Sequence, residues 1–303
     1  MNGIVVVDKP AGCTSHDVVQ RVRRTLRQRS VGHAGTLDPL ATGVLVVALG
    51  EATKLVSYLQ ADDKRYDVTI ALGTGTDSLD ADGEVVATAE VPPLDVAAVD
   101  RALQRFIGRH PQRAPDLSAV KVAGTPLHRR VRRGEQIEAP VREVELFEAT
   151  TVEAGQDELR LRLHCGKGFF VRALARDLCT ELGTVGHVTS LRRTASGRLS
   201  LESAVDGDDL TALGIAERLI PLREACGGMR RVELTEGGVV DARHGRPVVA
   251  EVIAGDTWRD ARAEEPLALF GPDGEPVALG RRVDDGIRIV RGFTTAATDV
   301  VSP

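Results

Sequence analysis

The sequence predicts an α+β fold, built from hairpin strands and packed helices and followed by a small all-β barrel. Three observations carry this. Glu158 to Cys165 (ELRLRLHC) and Tyr66 to Leu72 alternate apolar and polar residues with the period of half-buried strands. Helical stripes intervene, but not in the regular strand–helix–strand order of a doubly wound parallel sheet. After Pro221 the chain breaks into short strands punctuated by Gly245-Arg246-Pro247, Pro272-Asp273-Gly274-Glu275 and Asp284-Asp285-Gly286, a barrel-like spacing.

The elements follow in chain order. Ile4 to Val7 is a strand ending at Asp8. Ser15 is read as an N-cap opening a helix whose apolar stripe is Val18, Val19, Val22 and Leu26. Val44 to Leu49 is a buried strand. Leu94 to Ile107 forms a helix, with Val96, Val99, Leu103, Phe106 and Ile107 on one side and Gly108 ending it. Val171 to Leu182 is a further helix, with Gly183 at its C′ position. Between the last two helices, residues 111–134 show no clear core stripe and carry Arg113, Lys121, His128, Arg129, Arg130, Arg132 and Arg133. That pattern fits either a solvated face or a lid that closes on a phosphate backbone. Gly227-Gly228 reads as a linker, giving a catalytic-type unit over 1–226, a barrel over 229–293 and a tail over 294–303.

The formal net charge of −5 conceals a polarised chain. Residues 1–60 hold seven Lys/Arg against four Asp/Glu, and residues 160–198 hold eight against two; residues 199–303 hold nineteen acidic against twelve basic. Phosphate binding needs a local positive face, so the acidic sum does not exclude a nucleic-acid partner. No apolar run approaches the roughly 20 residues that span a bilayer. The N-terminus lacks a signal-peptide layout. The four cysteines lie too far apart for a Cys-x-x-Cys pair and read as free thiols of a reducing cytoplasm, Cys165 as a small strand filler.

The most informative segment is Gly32-His33-Ala34-Gly35-Thr36-Leu37-Asp38-Pro39-Leu40-Ala41-Thr42-Gly43, which has neither period and sets one carboxylate and one imidazole among glycines, threonines and a proline. A single carboxylate held in such a loop suits nucleophilic catalysis. Asp38-Pro39 is equally readable as a turn, with the Asp oxygens bonding nearby backbone N–H groups.

Gly32 to Lys54 resembles the catalytic signature of the TruB family, the bacterial tRNA pseudouridine-55 synthases. The resemblance extends, in order, through Gly3 to Ser15 (GIVVVDKPAGCTS), Lys64-Arg65-Tyr66, Leu72-Gly73, Thr76 to Gly83, Leu117 to Lys121, Lys167 to Arg172 and Gly186 to Arg193, spanning about two-thirds of the chain. It implies a pseudouridine synthase fold with a mixed, mainly antiparallel sheet, followed, on the looser match of Gly237 to Val248 and Ala268-Leu269-Phe270, by a PUA-like RNA-binding barrel. It also implies Asp38 as the catalytic carboxylate, Arg172 as its counter-charge, and Tyr66 stacked under a flipped uracil. Phe170, Leu191, His33, Lys9, Lys64 and Lys121 become expected substrate contacts, His33 by filling the space a flipped base leaves. Phe170 and His128 stand where the family more often has Tyr. Isomerising uridine involves no redox change, so no cofactor and no metal is expected. The expected partner is the tRNA T-arm, and the expected state a cytoplasmic monomer without a membrane or obligate protein partner. A non-catalytic RNA-binding or RNA-folding protein using the same cleft is the alternative; a base hydrolase would need a positioned water that a closed pocket excludes. All three polar residues Asp38, Tyr66 and Arg172 being present favours the enzyme.

Overall fold

The computed structural model describes residues 1–294 apart from 119, 123, 128, 129, 131, 132, 134 and 136. The expected tail beyond Thr294, His128, Arg129, Arg132 and the side chain of Lys121 therefore lie outside the described residues. Nine strands frame the first sheet: β1 (Gly3–Lys9), β2 (Val31–Ala34), β3 (Thr42–Leu49), β4 (Lys64–Leu72), β5 (Gly108–Arg113), β6 (Val141–Ala154), β7 (Glu158–Cys165), β8 (Gly186–Ser196) and β9 (Ala204–Asp206). Their order is β9-β1-β3-β8-β4-β7-β6-β5, with β2 paired to β3. Only the β1–β9 and β3–β8 pairs of this set are parallel, so the sheet is mixed and mainly antiparallel, as the sequence predicts.

Three helices cover one face: α1 (Ser15–Leu26), α2 (Val96–Leu103) and α3 (Val171–Glu181). Val18, Val22, Val99, Leu103, Leu174 and Leu178 meet Val5, Val7, Leu45, Val47, Ile70 and Leu161 in a continuous core. In β7 the alternation places Leu159, Leu161 and Leu163 inward and leaves Arg160 and Arg162 in solvent. Two helix ends differ from expectation. Thr14, not Ser15, caps α1, in a capping box with Asp17, because Ser15 turns inward. The helix predicted over 94–107 is α2 alone, capped by Asp95 and continued by a tighter turn over Gln104–Phe106.

The basic stretch begins later than predicted. Residues 108–113 are not loop but β5, in register with β6 at the sheet edge, where Pro111 costs no shared ladder bond. The loop proper leaves at Ala114 and returns at Pro140, joined by the Ala114 N–H to the Pro140 carbonyl at 3.1 Å. It has a core of its own, Ala114, Val120, Leu127 and Ala139, against which Phe170 packs.

After residue 229 a six-stranded sheet forms, with Leu267–Phe270, Pro276–Val283 and Gly286–Gly292 at its centre. Its core is Val232, Leu234, Trp258, Leu267, Leu269, Ala278 and Ile287. Glu236–Arg243, read from sequence as part of a strand-rich region, is a helix capped by Thr235. This barrel is not a loosely tethered appendage. Ala268, Phe270, Leu279 and Phe293 share a cluster with Ile4, Val6, Val44, Val46, Ala48 and Leu55 on the second face of the first sheet. That explains why β1 and β3 read as unbroken apolar runs: both faces of each are buried.

Candidate active site

The signature segment folds as the end of β2, a loop over 35–41, and the start of β3. Its backbone is held from four sides. Ser15 Oγ accepts from Leu37 N–H at 2.8 Å and donates to the Leu37 carbonyl at 3.1 Å. Gly12 N–H and Lys9 Nζ both donate to the Pro39 carbonyl, at 2.9 and 3.2 Å. Arg193 donates from its Nη2 to Gly35 O at 3.0 Å and from Nε to Val44 O at 2.6 Å. Gly43 carries φ +99° and lies so close to the Arg193 backbone that a Cβ would sit 2.2 Å from its carbonyl oxygen.

The turn itself exists, with Ala41 N–H on Asp38 O at 3.1 Å, but the Asp38 carboxylate faces away from it. Asp38 Oδ2 lies 2.9 Å from Arg172 Nε. Arg172, one residue inside α3, is buried and also reaches Asp80 Oδ2 at 3.2 Å, Ser78 O at 2.6 Å and Leu117 O at 3.3 Å. A cation near a helix N-terminus opposes the macrodipole, and two carboxylates offset that. Leu79, at φ +63°, makes the left-handed turn that sets the Ser78 carbonyl and the Asp80 carboxylate on the same guanidinium.

Burial pushes the Asp38 carboxyl above its ordinary value; Arg172 pulls it back and Asp80 adds to the rise. Its side chain keeps 38% of its surface open to the cavity, so water still tempers that push. Anything that fills the cavity removes the water and makes the Arg172 charge more necessary. Tyr66, half-buried on β4, has its phenol pushed up by burial, with Arg193 beside it opposing the rise, and so keeps its proton at neutral pH.

A cavity of about 700 Å³ opens over this group. Six of the nine residues expected from sequence line it: Asp38, Tyr66, Arg172, Phe170, Leu191 and Lys64. Lys64 does so with its amine committed to the Gln60 and Asp62 carbonyls. Two others stand elsewhere. Lys9 is wholly buried, bonding the Pro10, Cys13 and Pro39 carbonyls, and braces the loop instead of facing a substrate. His33 lies on β2 and is not among the residues that line the cavity; its buried Nδ1 has no hydrogen-bond partner among the described residues, and burial lowers its pKa. Lys121 opens the two-residue strand Lys121–Val122 of the basic loop.

Sequence reasoning missed Arg193 and Asp80. Arg193 was legible: strand alternation puts it on the same face as Leu191, already assigned to the pocket wall. Asp80 had no such signal, because its role depends on a turn with an unusual backbone angle.

Comparisons with known proteins identify the family. Residues 23–171 match the model described as TruB family pseudouridylate synthase (N terminal domain), and residues 172–224 match the tRNA pseudouridylate synthase B C-terminal domain. The chain is 41% identical over 307 aligned residues to a tRNA pseudouridine synthase B of Xanthomonas campestris pv. campestris (strain B100), covering 98% of this chain and 96% of that protein. It is 41% identical to the tRNA pseudouridine synthase B of Thermobifida fusca (strain YX), over 92% of this chain and 94% of that one. Among solved structures, a chain of an H/ACA RNP bound to a substrate RNA containing 2'-deoxyuridine superposes with a TM-score of 0.73 at 22% identity, covering 97% of this chain and 85% of that one. A chain of the archaeal box H/ACA sRNP Nop10-Cbf5 complex gives 0.72 at 22% identity, over 97% and 86%. At that identity the two structures speak for the fold alone. With family-model matches over residues 23–224 and relatives 41% identical over nearly its full length, the chain belongs to the TruB family of pseudouridylate synthases, and it is an isomerase.

Proposed function

We propose that this enzyme converts uridine 55 in the T-arm of tRNA to pseudouridine, as a cytoplasmic monomer that needs no cofactor, metal or protein partner. The observation that carries this reading is the Asp38 carboxylate, held on Arg172 at the wall of a cavity to which Tyr66, Phe170 and Leu191 contribute an apolar side. The relatives that are 41% identical over nearly their whole length bear the name tRNA pseudouridine synthase B, which supports tRNA as the substrate.

In this reading the target uridine leaves its stack, at a cost of a few kcal/mol, and its base enters between Tyr66 and Leu191. Asp38 then breaks the N1–C1′ bond by attack on the ribose or the uracil ring, or by taking a sugar proton. The uracil turns and rejoins through C5, with no net gain or loss of atoms. Arg172 keeps the carboxylate charged while the base displaces water, and the Tyr66 phenol offers an O–H near the ring. Lys167 and Arg142, which line the cavity, would meet phosphates in this reading. Residues 1–226 would act as the catalytic unit and 229–293 as an RNA-binding PUA-like unit.

Incubating the protein with a tRNA transcript and mapping pseudouridine at nucleotide resolution tests this directly. Pseudouridine at position 55 alone is the expected result. An unmodified transcript, or modification elsewhere, would overturn it.

A further inference from the structure

Gln112 lies on β5, the edge strand, and only 2% of its surface is exposed. Its side chain makes two hydrogen bonds, both to one backbone unit. Oε1 accepts from Phe170 N–H at 2.9 Å, and Nε2 donates to the Phe170 carbonyl at 3.1 Å. Phe170 is the N-cap residue of α3, and its own side chain supplies no cap bond. The helix end that carries Arg172 therefore takes its anchorage from a different strand. Beside it, Arg176 of α3 donates to the Arg113 carbonyl at 3.1 Å, so α3 meets the end of β5 at two successive residues.

We infer that Gln112 is a positioning residue for the reaction: by clamping the Phe170 backbone it fixes where α3 begins and so aims Arg172 at Asp38. Geometry rules out a generic packing role. A buried amide whose acceptor and donor both find the same residue sets an angle as well as a distance, because neither bond can shift without breaking the other. Arg172 stands two residues further on, inside the first helical turn, where a small rotation of the helix start displaces a long side chain most. The same clamp sits at the root of the basic loop. That loop leaves β5 two residues after Gln112, its core packs on the Phe170 ring, and its Leu117 carbonyl accepts from Arg172. Movement of the loop on RNA would thus reach Arg172 through Phe170 unless the backbone there is held. Gln112 holds it.

The inference rests on the proposed tRNA reaction, so wild-type protein is run in every assay; failure of wild type to release tritium from C5-labelled tRNA would speak against that reaction, not against the clamp. Gln112→Met fills similar space and removes both bonds. Its single-turnover rate should fall about tenfold or more, equivalent to ~1.4 kcal/mol of barrier, while tRNA affinity stays within about threefold. The acidic limb of its pH–rate profile should also move upward, because Arg172 is the charge that keeps Asp38 ionised against burial and Asp80, with Lys9 the other cation facing it. A residue that only supports the fold would lower the melting temperature and leave the limb in place. Gln112→Glu guards against misfolding of the Met variant. While protonated it offers the same acceptor and donor; once ionised it sets an oxygen against the Phe170 carbonyl. Arg142, opposite it in the β5–β6 register, and Arg176 are the cations on neighbouring elements that favour ionisation. Its rate relative to wild type should fall as pH rises. A folded Gln112→Met with the wild-type rate and limb, or a Gln112→Glu ratio near one throughout, overturns the inference.

Discussion

Arg172 Nε stands 2.9 Å from Asp38 Oδ2, and the same guanidinium spans to Asp80 Oδ2 at 3.2 Å. One cation thus serves two carboxylates of unequal exposure: Asp38 opens on the cavity, whereas Asp80 is 7% accessible at its side chain. The buried partner fixes the arginine, and the open one is free to react. The Asp80 charge also pushes the Asp38 proton affinity upward, against the pull of Arg172, so Asp38 is poised and not merely neutralised.

Replacing Asp38 separates chemistry from binding. Asp38→Asn should abolish isomerisation while leaving tRNA affinity within about tenfold, or ~1.4 kcal/mol, since arginines and stacking hold the RNA. Full turnover by this variant in a tritium-release assay would remove Asp38 from the mechanism.

The same substitution should stabilise the fold at neutral pH. The folded-state pKa of Asp38 is raised, so between its unfolded value and its folded value the native state binds the extra proton. Stability then declines as pH rises through that window and stays lower above it. Asn imitates the protonated form and escapes the loss. Melting curves should place Asp38→Asn above wild type at pH 7 and level with it below about pH 4, where both states are protonated.

Arg172→Met and Asp80→Asn should shift the pH–rate profile in opposite directions. Losing Arg172 removes the largest influence that lowers the Asp38 pKa, so the acidic limb moves up; it also strands buried Asp80, a kind of loss that costs on the order of 3–5 kcal/mol of stability. Losing the Asp80 charge removes an influence that raises it, so the limb moves down, even though the plateau rate drops as Arg172 loses one support. Limbs that move together would show that the two carboxylates are not coupled through Arg172.

How far the sequence carried this site depends on the kind of contact. Asp38 was legible in the composition of its loop, whereas the roles of Tyr66 and Leu191 rested on the family resemblance. Arg172, the partner of Asp38, rested on the same resemblance, and the structure supplies the electrostatic reason: an arginine in the first turn of a helix, held by two carboxylates. Lys9 was read as facing a substrate although it is buried, because nothing in sequence distinguishes an amine that meets RNA from one that meets three backbone carbonyls. Ser15 was read as a cap, since serine before a helix usually is one; its inward turn toward Leu37 depends on a loop that arrives from 22 positions downstream. The helix over Glu236–Arg243 was overlooked because its two glycines argue against helix, and the Thr235 cap together with Val239 and Ala242 packing outweighs them.

The last prediction concerns the barrel. Ending the chain near Gly228 removes Ala268, Phe270, Leu279 and Phe293 from the cluster they share with Ile4, Val6, Val46 and Leu55. It also removes the Gly292 carbonyl that accepts from Lys54 Nζ at 2.8 Å. The exposed sheet face should lower the melting temperature and favour self-association, which polar substitutions on that face should relieve. Among the described residues, none of the barrel lines the cavity around Asp38. Below the lowered melting temperature, the single-turnover rate on an isolated T-arm stem-loop should therefore stay within about threefold of the full chain, under ~0.7 kcal/mol of barrier. Affinity for full tRNA should weaken modestly, since residues 229–293 carry twelve acidic against ten basic side chains and so offer no net positive face to phosphates. Rates and affinities for both RNAs, taken beside melting curves, separate these effects. A stem-loop rate that collapses while the truncated protein is still folded would mean that the barrel shapes the active site through β1 and β3, and that residues 229–293 are no independent RNA unit.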